Sequence, residues 1–238
     1  MSTLKGPIEG LYAVFAHEPR PVVVEGCTNC CISEEELVTL VLKPREQLSA
    51  EELRSYASNA PDTVGAEADF RYFLPSLLEL AATGELEWPD RPWVVRRLRM
   101  VPWHARWSLQ EQNAVRAYLR AWWSDTTTEN VETEDLDEVL ATLSLVDTLE
   151  EFPHYLHSWL ESGRTGRSRL ARFITDHSMQ LALGKHWNTW ASREAVPVLN
   201  HWLHSGIPLQ ALLKEFEQDP DAPEAEQFLE AAALLESR

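Results

Sequence analysis

Basic residues are scarce in this 238-residue chain: 21 Lys and Arg stand against 38 Asp and Glu, a formal charge of −17. Over residues 121–163 there is no lysine or arginine at all. The same stretch gathers eleven acids, namely Asp125, Glu129, Glu132, Glu134, Asp135, Asp137, Glu138, Asp147, Glu150, Glu151 and Glu161. A field of that sign repels nucleic acid and anionic membranes and attracts basic protein surfaces. Long apolar runs are missing too. The longest, at 37–42 and 231–235, fall far short of the roughly 20 residues of a spanning helix. The first ten residues lack the apolar centre of a secretory signal. Cysteine is reduced to Cys27, Cys30 and Cys31, which excludes a disulfide framework and fits a reducing compartment. The expected location is the cytoplasm, with neither a nucleic-acid nor a membrane partner.

Glycine is sparse at 9 residues, and 44% of the chain is hydrophobic, a composition that suits a helix-rich globular protein. Ten tryptophans supply large rigid side chains for wide inter-helix gaps or for contact surfaces. Helical periodicity dominates from Ile8 to Ser237. Ile8, Leu11, Tyr12 and Phe15 make one apolar stripe, ended by Pro19 and Pro21. Ser33 with Glu36, Ser49 with Glu52 and Ser108 with Glu111 each have the spacing of a capping box that opens a helix. A further helix is expected over 69–83, stopped by Gly84. Later ones are expected over 135–145, 149–162, 168–183, 194–204, 209–218 and 224–237. Val22-Val23-Val24 is the one β-like run, too short to found a sheet. The fold class is therefore all-α, a single multi-helix domain over 1–238, with a sub-boundary at the polar segment 124–133.

Two segments repeat a pattern. Residues 153–163 and 197–206 both open on proline and close on Trp-Leu-x-Ser-Gly, with their glycines 43 residues apart. Proline at the start and glycine past the end bound a helix, and the spacing lies within the period of HEAT-like helical pairs. Residues 75–84 are a looser copy at a different spacing.

Chemistry-bearing motifs are few. Cys27-Thr-Asn-Cys30-Cys31 lets two thiolates approach one zinc, with Cys31 as a third ligand and His17, the nearest preceding histidine, as the fourth. Plain packed thiols are the alternative. A redox role would need a thioredoxin-like βαβ setting. A structural rather than catalytic role is expected. The pairs His154/His157 and His201/His204 each share a helix face, without the Glu of a zinc hydrolase. No nucleophile elbow, phosphate loop or dinucleotide fingerprint is present. The arginines at 91–106, interleaved with Trp93 and Trp103, and those at 164–172 are expected to pair internally with acids.

Pro19-Arg20-Pro21 ahead of the cysteines, then Leu48-Ser49 to Tyr56-Ala57, then Asp69-Phe70-Arg71-Tyr72-Phe73-Leu74-Pro75, resemble a family of uncharacterised bacterial proteins. The likeness covers about the first third of the chain and implies a bacterial, helical protein with no established activity. Three functions are compatible with these features. The leading one is an acidic, non-enzymatic binding protein that neutralises a basic partner, as an immunity protein does a toxin, with Asp125, Glu129, Glu132, Glu134, Asp135, Asp137 and Glu138 as the contact surface. The others are a metal-binding protein or enzyme centred on Cys27, Cys30 and Cys31, and a HEAT-like scaffold.

Overall fold

A computed structural model describes residues 3–128 and 134–236. Among them there are fourteen α-helices and no β-strand, so the protein is all-α. Chain contacts divide it into two compact units, Met1–Tyr118 and Leu119–Arg238. The helices in order are α1 (Lys5–Val14), α2 (Glu34–Leu42), α3 (Ala50–Asn59), α4 (Glu67–Thr83), α5 (Arg91–Arg96), α6 (Trp103–Arg106) and α7 (Leu109–Thr128). Then follow α8 (Leu136–Val146), α9 (Phe152–Glu161), α10 (Gly163–Asp176), α11 (Ser178–Ala182), α12 (Ala195–Leu203), α13 (Ile207–Gln218) and α14 (Ala225–Glu236).

The first unit is built on α4. Ten of its residues are buried, and Phe73 meets Tyr56 and Tyr72 edge-on at 4.8 and 4.9 Å between centroids. Arg45 is also buried here. Its Nη1 donates to the carbonyls of Phe15 (3.1 Å) and Tyr72 (2.9 Å), and its guanidinium lies over the Tyr72 ring. The capping boxes at Ser33, Ser49 and Ser108 all form, with serine hydroxyl and glutamate carboxylate reciprocally bonded to backbone amides. α4 runs unbroken through Pro75 to the left-handed Gly84, so Pro75 opens no separate helix. Its buried neighbours hold it in line although it has no amide to donate back along the helix.

The second unit packs around an aromatic chain. Trp159 stands edge-on to Trp123 at 5.2 Å and to Phe173 at 5.3 Å, and Phe152 stacks on Trp187 at 6.2 Å. The two Trp-Leu-x-Ser-Gly segments form α9 and α12, each turned by a positive-φ glycine, Gly163 or Gly206, into the next helix. α9 packs on α10 and α12, and α13 packs on α10 and α12. The two hairpins therefore stack like on like, one fewer than the three or so repeats a solenoid needs.

Several expected boundaries move. The division into units falls within α7, ahead of 124–133. Residues 124–128, expected as a loop, continue α7. Thr126, Thr127 and Thr128 bond back to the carbonyls of Trp122, Trp123 and Ser124, and Asp125, Thr126 and Thr127 are buried. Tertiary burial here overrides local polarity. α10 starts at Gly163 rather than 168 and ends at Asp176, and His177 caps it and separates it from α11. Its early start is sustained by Arg164 and Arg167, which pair with Glu215, and by Arg164 with Glu224. The short helices α5 and α6 are not among those expected, although Asp90 and Pro92 form a helix-start signal: Asp90 accepts from the Trp93 amide at 2.9 Å and Pro92 lies in the first turn of α5. Their arginines partly bond carbonyls instead of acids: Arg91 donates to Ala81 and Ala82, Arg97 to Ser58. Val22–Val24 makes no strand, and the described residues contain an isolated antiparallel bridge between Gly26 and Val64.

Candidate functional site

Two sites in separate units bring together the side chains that the sequence marks. In the first unit, the chain reaches the cysteines through the Gly26–Val64 bridge. Cys27 N donates to Thr63 O at 3.1 Å and Gly65 N to Glu25 O at 2.7 Å. Glycine is required at 26, because a Cβ there would stand 2.8 Å from Ile32 Cγ2 and 3.2 Å from Val64 Cγ1. The amides of Cys31 and Ile32 both donate to Cys27 O, at 3.0 and 3.3 Å, and close the turn. Asn59 Nδ2 holds Cys31 O at 3.1 Å. Ile32 is buried, and Ser33 then caps α2. The turn is thus anchored on both flanks while the thiols face outward.

Cys30 Sγ lies 3.4 Å from Cys27 Sγ and 3.1 Å from Cys31 Sγ. Thr63 Oγ1 donates to Cys31 Sγ at 3.3 Å. The backbone amide of Asn29, followed by the Cys30 thiol, holds Cys27 below the ordinary thiol range. Cys30 is pushed up to about 12, by its hydrogen bond with Cys31 first and with Cys27 second. Cys30 is exposed and the other two are half-buried.

His17 does not join them. It ends the 3-10 turn after α1, where its Nδ1 meets Val14 O at 2.9 Å and its Nε2 lies 3.2 Å from Glu18 and 3.8 Å from Glu111. Arg71 bridges the same two carboxylates, at 2.6 Å to Glu18 and closer still to Glu111. This second cluster of potential ligands already has its cation. His17 therefore groups with these two acids and not with the three thiols, and is not their fourth ligand in this structure.

In the second unit the acidic residues separate. Asp125 is only 8% exposed and belongs to the helix interior rather than to a contact face, because α7 stays helical there. Glu129 and Glu132 lie outside the described residues. Glu134 accepts from Trp122 Nε1. Asp135 caps α8 through the Asp137 amide at 2.9 Å. Asp137 meets His177 Nε2 at 2.5 Å, and Glu138 is half-buried on α8. Glu134, Asp135 and Asp137 join Asp176 of α10 around a cavity of about 590 Å³, whose other walls are Leu136, Arg169, Arg172 and Phe173. Arg169 is buried and bonds the Thr126 carbonyl, whereas Arg172 is exposed at the rim. The contributions of Asp176 and His177 carry no signal in the sequence, since α10 reaches α8 only through folding.

The Asp137 carboxylate raises His177 above its usual value, with burial opposing and Asp176 and Asp135 assisting. A raised folded pKa stabilises fully below the unfolded value of about 6.5 and ceases to do so as pH rises through the folded one. Asp137→Asn is therefore expected to cost about 1 kcal/mol near pH 5.5 and much less near pH 8.5. Paired melting curves across that range check it, and a pH-independent difference would contradict it.

The histidine pairs stay apart from both sites. His157 Nδ1 meets Pro153 O at 2.6 Å and His204 Nδ1 meets Asn200 O at 2.6 Å. Neither pair gathers a third ligating side chain among the described residues. Comparison with family models, curated proteins and solved structures finds no match.

Proposed function

We propose that this protein is an acidic binding protein for a basic protein partner, engaged through the carboxylate-lined cavity between the start of α8 and the end of α10. The observation that carries this reading is the convergence of Glu134, Asp135, Asp137 and Asp176, two sequence regions about 40 residues apart, on one concave site. The surrounding field has the same sign: residues 119–238 hold 21 acids against nine Lys and Arg, a net −12 of the chain's −17. Arg169 and Arg172 line the same cavity, so it is the acidic surplus of the unit around it, rather than an unopposed carboxylate pocket, that accelerates encounter with a cationic surface. Neutralisation of a toxin domain inside the cell that makes it is the specific form proposed for this activity.

The test is binding to basic proteins encoded by the adjacent genes, co-expressed with the full chain. A combined Glu134→Gln, Asp135→Asn, Asp137→Asn, Asp176→Asn variant keeps a capping side chain at 135 and is expected to fold. Association should slow by about tenfold or more, with a flatter salt dependence. Unchanged association with an unchanged salt slope, or no binding by any adjacent product, rejects the reading.

A further inference from the structure

The three-thiol turn lies in the other unit and is independent of the acidic cavity. We propose that Cys27, Cys30 and Cys31 together bind one thiophilic d10 cation, of which Zn²⁺ is the type, through three sulfurs and with a fourth position open. In a tetrahedral site with Zn–S bonds of about 2.3 Å, neighbouring sulfurs stand about 3.8 Å apart. Here the sulfurs are 3.4 and 3.1 Å apart for the two bonded pairs, and all three lie within 4.8 Å of one another. The two hydrogen-bonded pairs thus differ from that spacing by only about 0.4 and 0.7 Å.

That backbone is already held in place. The Gly26–Val64 bridge, the double acceptance by Cys27 O and the Asn59–Cys31 bond fix the turn from both sides. An outer contact of the kind that orients metal-bound sulfur is also present, since the Thr63 hydroxyl donates to Cys31 Sγ at 3.3 Å. Soft sulfur donors select zinc and similar ions over calcium or magnesium. Binding exchanges thiol protons for one metal, with no change of oxidation state.

The ligand count distinguishes this site from a closed structural zinc. His17 is bound to Glu18 and Glu111, and no other His, Cys, Asp or Glu joins the sulfurs among the described residues. Exposed Cys30 leaves the site open to solvent, so the fourth position takes water or an external ligand, the arrangement of exchangeable rather than closed sites.

The experiment titrates the reduced full-length protein with Cd²⁺, following the sulfur-to-cadmium charge-transfer band, with Zn²⁺ as competitor and native mass spectrometry for stoichiometry. One ion per chain is expected, displaced by Zn²⁺. Cys30→Ser and, separately, Cys31→Ser should each weaken binding at least about tenfold, while circular dichroism shows the helices intact. His17→Ala should leave affinity unchanged. No saturable band in the folded wild type overturns the proposal, as does full affinity in both serine variants. A His17→Ala loss equal to that of Cys30→Ser would overturn the three-sulfur set, and a Cys27–Cys30 disulfide in protein isolated without oxidant would overturn metal binding itself.

Discussion

Replacing Trp159 with alanine is expected to destabilise the 119–238 unit by about 3–5 kcal/mol, the range for emptying a fully buried large aromatic site. Trp159 is completely buried and lies edge-on to both Trp123 and Phe173. Its Nε1 donates to Gly166 O at 2.9 Å, so truncation also leaves a carbonyl without that donor. Trp123 cannot move easily into the gap, because it is itself held. Trp123 Nε1 donates to Tyr155 O, and Tyr155 hydroxyl to Asp147 at 2.7 Å. Denaturant unfolding followed by far-ultraviolet circular dichroism measures the loss. Trp190→Ala is the control, since that ring is 40% exposed and its removal should change stability by about 0.5 kcal/mol or less. Equal effects at the two positions would show that the aromatic chain is not the core of the unit.

Glu111→Gln should cost about 1–2 kcal/mol at neutral pH, because Arg71 loses one of its two carboxylates and keeps only Glu18. The Glu111 side chain accepts from Ser108 N at 2.7 Å and from Arg71, and is 1% exposed as a residue. Burial pushes its carboxyl up. Ser108, through hydroxyl and amide, and Arg71 outweigh that and hold it below the usual carboxylate range. A depressed folded pKa gives stability that is present above the unfolded value of about 4.3 and lost as pH falls through the folded one. The gap between wild type and Glu111→Gln should therefore narrow as the medium is acidified below about pH 4. A gap that stays constant into acid would mean that the charge on Glu111 contributes nothing. Glutamine retains the capping geometry, so the variant separates loss of charge from loss of the cap.

Local rules explain why much of the architecture is legible in the chain itself. The caps at Ser33, Ser49 and Ser108 depend on two residues three apart, and the stops at Gly84, Gly163 and Gly206 on one residue's backbone freedom. The Cys-x-x-Cys-Cys spacing likewise puts three thiols within five residues, close enough to share one turn. Segment 124–128 shows where such rules give way. Its polar residues look like a loop, yet threonine hydroxyls can bond back along a helix, and burial in the second unit's core makes that the lower-energy choice.

The candidate sites divide along the same line. Composition and spacing alone determine the all-helical class, the excess of negative charge, its concentration over residues 121–163 and the grouping of the cysteines. Each of these is a property of single residues or of neighbours a few positions apart. Only the tertiary structure decides that Asp125 is buried, that Asp176 and His177 meet Asp137, and that His17 turns to Glu18 and Glu111 instead of the thiols. Those outcomes rest on partners 40 to 94 residues apart for His177–Asp137 and His17–Glu111. At such separations the pairing is set by which helices pack together and how much water they exclude, because those conditions determine the strength of a charge–charge contact.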